Sequence, residues 1–95
     1  MLNIKGIKAK YKETPNDSTL ARELELVVNL KFIPEKQLCG QSIILEDESG
    51  TLEAVAKANI FDQLKDRLGQ LIKFSGRLDK TEFRNIAFAI EEILE

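Results

Sequence analysis

The sequence predicts a mainly β domain: a small closed Greek-key barrel of five to six strands with one short capping helix. Three observations lead there. Short apolar segments alternate with polar residues at period 2, as half-buried strands do. Turn-forming clusters separate them. One helical stripe stands between the fourth and the last two strands, where a single helix closes the open end of a barrel whose sheet has no free edge. The length of 95 residues fits one domain spanning 1–95.

Taken in order, Leu2 and Ile4 share one phase and Ile7, Ala9 and Tyr11 the other, with Gly6 at the switch. A phase change at a glycine is the signature of a β-bulge, so residues 2–12 read as one bent strand with Lys8, Lys10 and Lys12 facing outward. Thr14-Pro15-Asn16-Asp17-Ser18 reads as a loop and is the candidate mobile segment. From Glu23 to Ile33, Leu24, Leu26, Val28, Leu30 and Phe32 alternate with Glu25, Val27, Asn29 and Lys31. Leu20, Leu24, Val27 and Val28 also fit a helix face. The five in-phase positions and the Val-Val pair favour a strand, and Pro34 ends it.

Gln41–Glu46 reads as a short strand, Asp47-Glu48-Ser49-Gly50 as a turn with Gly50 at positive φ, and Thr51–Ala58 as the returning strand. Asn59 has the chemistry of an N-cap, with Asp62 in the first turn. Ile60, Phe61, Leu64 and Leu68 form an amphipathic stripe that Gly69 terminates. Leu71–Leu78 alternates Ile72, Phe74, Gly76 and Leu78 against Lys73, Ser75 and Arg77. Asp79–Glu82 is the next turn, and Phe83–Leu94 the last strand.

Composition excludes several function classes. With no His and a single Cys, Cys39, neither a Ser-His-Asp nor a Cys-His nucleophile system exists. A four-ligand zinc site and an internal disulfide are equally out of reach, and the lone thiol favours a reducing cytoplasm. Cys39 has no nearby base and reads as a passive thiol. No apolar run approaches the ~20 residues of a membrane span, and no secretory leader is evident. Glu46, Asp47 and Glu48 invite a metal reading, but neighbours on a strand alternate faces and the turn accounts for Asp47. The expectation is a non-enzymatic binding module without metal or cofactor.

The formal net charge of −2 conceals an asymmetry. Residues 1–12 carry four Lys and no acid; residues 13–53 carry nine acids and three bases; residues 54–95 carry seven of each. The acidic middle repels nucleic acid or meets a basic protein.

The segment Ile43-Ile44-Leu45-Glu46-Asp47-Glu48-Ser49-Gly50-Thr51-Leu52-Glu53-Ala54-Val55, followed by a helix and then Leu71-Ile72-Lys73-Phe74-Ser75-Gly76-Arg77-Leu78, resembles the oligonucleotide-binding (OB) fold over residues 41–93. It is most similar to the anticodon-binding type, which includes the OB domain of bacterial DNA polymerase III alpha subunits and the anticodon-binding domains of class II aminoacyl-tRNA synthetases. Ile4-Lys5-Gly6-Ile7 also resembles the glycine-bent first strand of that fold. The chain departs from the pattern in the 28 residues between Lys12 and Gln41. There, Glu23–Ile33 either extends the first loop as a hairpin or serves as the first barrel strand.

The resemblance implies a non-catalytic module that binds single-stranded DNA or RNA, with ssDNA in replication or repair foremost. It would act as a stand-alone protein or as a domain of a larger polymerase-like chain. The candidate contacts are the outward cations Lys8, Lys10, Lys12, Lys31, Lys57, Lys73 and Arg77, with Tyr11 and Phe32 as stacking surfaces. Phe83 is a third aromatic whose exposure the pattern leaves open, as it does for Tyr11 and Phe32, while Phe61, Phe74 and Phe88 fall in core phases. With few stacking platforms, the expected affinity is modest and phosphate-dominated. The alternative is a protein-interaction module within a larger complex. Convergence of Lys8, Lys10, Lys12, Lys57 and Arg77 on one face favours the first reading; scattered cations and an apolar exposed face favour the second.

Overall fold

A computed structural model describes residues 3–14, 24–35, 42–80 and 86–94. Its elements are helix α1 (Ile4–Glu13), strands β1 (Leu24–Phe32), β2 (Ile43–Asp47) and β3 (Gly50–Ala56), helix α2 (Ala58–Leu64), and strands β4 (Leu71–Lys80) and β5 (Ile86–Ile93). The strands close in the order β1-β2-β3-β5-β4, with β4 returning to β1. All neighbours are antiparallel except β3 and β5, which run parallel because α2 and β4 lie between them in the chain. This five-stranded closed barrel with two short helices matches a small OB-type barrel with a capping helix. The Glu23–Ile33 segment therefore supplies the first barrel strand.

The interior is built by alternation. Leu24, Leu26, Val28 and Leu30 of β1, Ile43 and Leu45 of β2, Leu52 and Ala54 of β3, Ile72, Phe74 and Leu78 of β4, and Phe88 and Ile90 of β5 are all buried. The intervening side chains face outward, as period 2 requires. α2 closes one end with Ile60, Phe61 and Leu64.

The N-terminal segment is a helix, not the bent strand its alternation suggests. Ile4, Ile7 and Tyr11 all join the core, and their i, i+3, i+7 spacing is one face of a helix. The phase switch at Gly6 is what a 3.6-residue period looks like when read at period 2. A glycine inside a ten-residue helix costs about 1 kcal/mol relative to alanine, so local propensity does not explain α1. Its first-turn N–H groups do. Ile4 N–H donates to Asp47 Oδ2 (2.8 Å), Lys5 N–H to Ser49 Oγ (2.9 Å) and Gly6 N–H to Asn3 Oδ1 (2.8 Å). The first three N–H groups of the helix, which have no partner within it, are thereby satisfied. Two of the three acceptors come from the β2–β3 turn, 43 and 44 residues away in the chain. α1 thus packs at the end of the barrel where β2 turns into β3, opposite α2, which follows the far end of β3.

α2 also differs from expectation. Lys57, not Asn59, occupies the N-cap, without a side-chain capping bond. The helix stops at Leu64, so Leu68 lies outside it and is 57% exposed. The reason is a tertiary pull: Gly69 N–H donates to Leu30 O (2.7 Å) and Leu30 N–H to Gln70 O (3.0 Å), tying the chain to β1 before another helical turn forms. Gly69 supplies the positive φ of that turn, 84°. Asp79 and Lys80, read as a turn, extend β4. Residues 15–18, Cys39 and Phe83 lie outside the described residues. Among the described residues no helix is long and apolar enough to cross a membrane.

Asp47 holds the α1 end together. Its Oδ1 accepts from Ser49 N–H (2.7 Å) and Ser49 O–H (2.6 Å), while Oδ2 accepts from Ile4. Burial raises the Asp47 pKa, but the Ser49 hydroxyl and the N–H groups of Ile4, Ser49 and Gly50 outweigh it, so the carboxyl sits below its ordinary value. A depressed folded-state pKa contributes stability that is complete above the unfolded value and lost as pH falls through the folded one. Asp47→Asn is therefore expected to flatten the acid limb of the stability curve below about pH 4. At neutral pH it should destabilise by about 1–2 kcal/mol. Urea denaturation between pH 3 and 7 measures both; parallel curves for the native chain and the variant would contradict the assignment.

Candidate nucleic-acid interface

On the outer surface, closure of the barrel decides which side chains become neighbours. Val55 of β3, Ala89 of β5 and Arg77 of β4 stand in register across three strands. Ala89 is too small to fill the space between the larger side chains beside it. The result is an open cleft of about 420 Å³ lined by Val55, Ala56, Lys57, Arg77, Ala89, Ile90 and Glu91. Lys57 reaches it because β3 ends one residue earlier, and both cations are exposed. Among the described residues neither makes an ion pair. Among the described residues of the lining, Lys57 and Arg77 face one acid, Glu91.

Two residues further along the same strands lies a contrasting row. Glu53, Ala87 and Asp79 are in register across β3, β5 and β4. This acidic row stands between the cleft and the α1 end of the barrel.

The other expected contacts separate. Lys31 Nζ pairs with Glu46 Oε2 at 2.8 Å, and Lys73 Nζ with Glu25 Oε2 at 3.5 Å. Both pairs are exposed and of small energetic weight, but each places a carboxylate where a phosphate would approach its lysine. Lys8, Lys10 and Lys12 belong to α1, at the end opposite Lys57. They do not lie side by side as on a strand: Lys8 and Lys12 share a helix face, and Lys10 points elsewhere. Tyr11 is a correction. It is only 7% exposed and packs into the core, because the helical period turns it inward with Ile4 and Ile7. Phe32 is 47% exposed at the end of β1, opposite Ile44, and is the one exposed aromatic among the described residues.

No protein-family model matches the chain, and no curated protein matches it. The site therefore rests on geometry.

Sequence reasoning picked out Lys57 and Arg77 but missed the walls between them. Val55 is out of phase with buried Leu52 and Ala54, and Ala89 is out of phase with Phe88 and Ile90. That alternation marks both as outward. Their adjacency comes from the parallel β3–β5 pairing, which no local pattern encodes.

Proposed function

We propose that this chain is a non-catalytic module that binds single-stranded nucleic acid, with ssDNA as the first substrate to test. The observation that carries the reading is the convergence of Lys57 and Arg77, free of ion pairs among the described residues, on one open cleft. A guanidinium offers a planar fork suited to a phosphate, and a nearby ammonium adds a point charge. The exposed methyls of Val55 and the small Ala89 leave room for a sugar-phosphate segment between them. The similarity of Leu45-Glu46-Asp47-x-x-Gly50 and Phe74-Ser75-Gly76-Arg77 to the anticodon-binding and polymerase III alpha type supports the same class of ligand, in replication or repair.

Few contacts imply modest, salt-sensitive binding. For the native chain, fluorescence anisotropy with a labelled oligothymidylate at 50 and 200 mM salt should show clear weakening. Lys57→Gln with Arg77→Gln should weaken binding on the order of tenfold at the lower salt and make the log–log salt slope shallower by about 1.4, the share of two phosphate contacts. Absence of binding at 50 mM, or an unchanged double variant, would overturn the proposal.

The alternative reading, a protein-interaction module, is favoured by two observations: Lys8, Lys10 and Lys12 stand at the end of the barrel away from Lys57 and Arg77, so the five cations do not converge on one face, and an apolar face is exposed. Phe32, Leu68 and Leu71 are large, apolar and exposed, and all stand at the α2 end of β1 and β4. It becomes the preferred reading if the oligonucleotide fails to bind.

A further inference from the structure

Folding residues 4–13 as a helix rearranges the N-terminal lysines. Lys5, Lys8 and Lys12 stand at i, i+3 and i+7, within about 60° of one another around the helix axis. Adjacent members are roughly 5–6 Å apart at Cβ. Among the described residues none of the three ammonium groups makes an ion pair. Among the described residues, Glu13 at the end of α1 and Glu48 in the β2–β3 turn are the exposed acids next to the stripe in the chain or the fold. The platform is fixed on its other side by buried Ile4, Ile7 and Tyr11, and at its start by Asp47 and Ser49.

We propose that the Lys5–Lys8–Lys12 face of α1 is a second phosphodiester-contacting surface, separate from the Lys57–Arg77 cleft. This rests on the single-strand reading above and names where most of its charge contacts lie. The choice of a phosphodiester over an acidic protein follows from what surrounds the stripe. α1 exposes no large apolar side chain. A protein interface draws its energy from buried aromatic and aliphatic anchors, whereas a phosphate backbone needs only cations. The row of Glu53, Ala87 and Asp79 lies between the cleft and the α1 end of the barrel, so one strand meets the two surfaces as separate patches whose contributions add, rather than as one continuous groove.

The test uses the full chain, a labelled twelve-nucleotide oligothymidylate and poly-L-glutamate. Lys5→Gln, Lys8→Gln and Lys12→Gln together should weaken oligonucleotide binding on the order of tenfold at 50 mM salt and make the salt slope shallower by about 2. The change should be the same with Lys57 and Arg77 intact or replaced. The corresponding triple Arg variant should retain binding, and circular dichroism should show both variants folded. If the triple Gln variant binds like the native chain while the cleft variant is weakened, the stripe is refuted and the cleft reading stands. If only the stripe variant matters, the cleft reading fails and the stripe stands. No binding by the native chain refutes both. Equal binding of poly-L-glutamate, lost in the triple Gln variant, would make the stripe an acidic-protein surface and overturn its assignment to phosphodiesters.

Discussion

Phe74→Ala is expected to destabilise the barrel by about 3–5 kcal/mol, the usual cost of removing a fully buried phenylalanine. Phe74 has no exposed surface and stands opposite Leu26 of β1 on one side and Ile93 of β5 on the other. Its ring therefore fills space among strands that meet only because the sheet closes. A domain of this length has a total stability of about 5–14 kcal/mol, so the variant sits near its unfolding threshold. Urea titration of native and variant chains gives the difference directly. Phe74→Leu, which keeps much of the volume, should cost far less. A loss below about 1 kcal/mol for Phe74→Ala would mean that the site is not the packed interior described here.

Gly76→Ala is expected to cost about 3 kcal/mol, at the upper end for adding one methyl to a packed site. A Cβ at residue 76 would overlap the Ala89 carbonyl oxygen and lie 2.9 Å from Phe88 Cζ. The first obstacle is backbone, which cannot swing aside as a side-chain tip can. Gly76 also follows the irregularity where the β4–β5 register shifts, Ser75 facing Glu92 and Gly76 facing Ile90. Close approach of another backbone is a recurrent reason for glycine within a strand. The displaced residues, Ala89 and its neighbours, line the Lys57–Arg77 cleft, so the substitution should also lower oligonucleotide affinity at temperatures where the variant is still folded. Thermal denaturation and anisotropy on the same preparation separate the two effects. Unchanged stability would show that β5 is free to move away.

Both positions bear on how much of the molecule was readable in advance. Phe74 was assigned to the core from alternation along Leu71–Leu78, and it is there. Gly76 falls in the same inward phase; the reason it must be glycine, the Ala89 carbonyl across the strand pair, depends on which strand lies beside β4. The cleft followed the same division. Lys57, Arg77, Lys31 and Lys73 are all legible as outward cations, but only strand pairing shows that β1 brings Glu25 near Lys73 and β2 brings Glu46 near Lys31.

By itself, the sequence determined the five barrel strands, the helix before the last two and most of the inward residues, Phe32 at the end of β1 excepted. Those features follow from hydrophobic periodicity, which is local and survives without knowledge of neighbours. Only the tertiary structure decided that residues 4–13 are helical, because Asp47 and Ser49 supply acceptors from more than 40 residues away. It alone decided where α2 stops, through Leu30, and which cations remain free to meet an anion. Hydrogen bonds and charge pairs across a closed sheet depend on strand order and register, and a period along the chain contains neither.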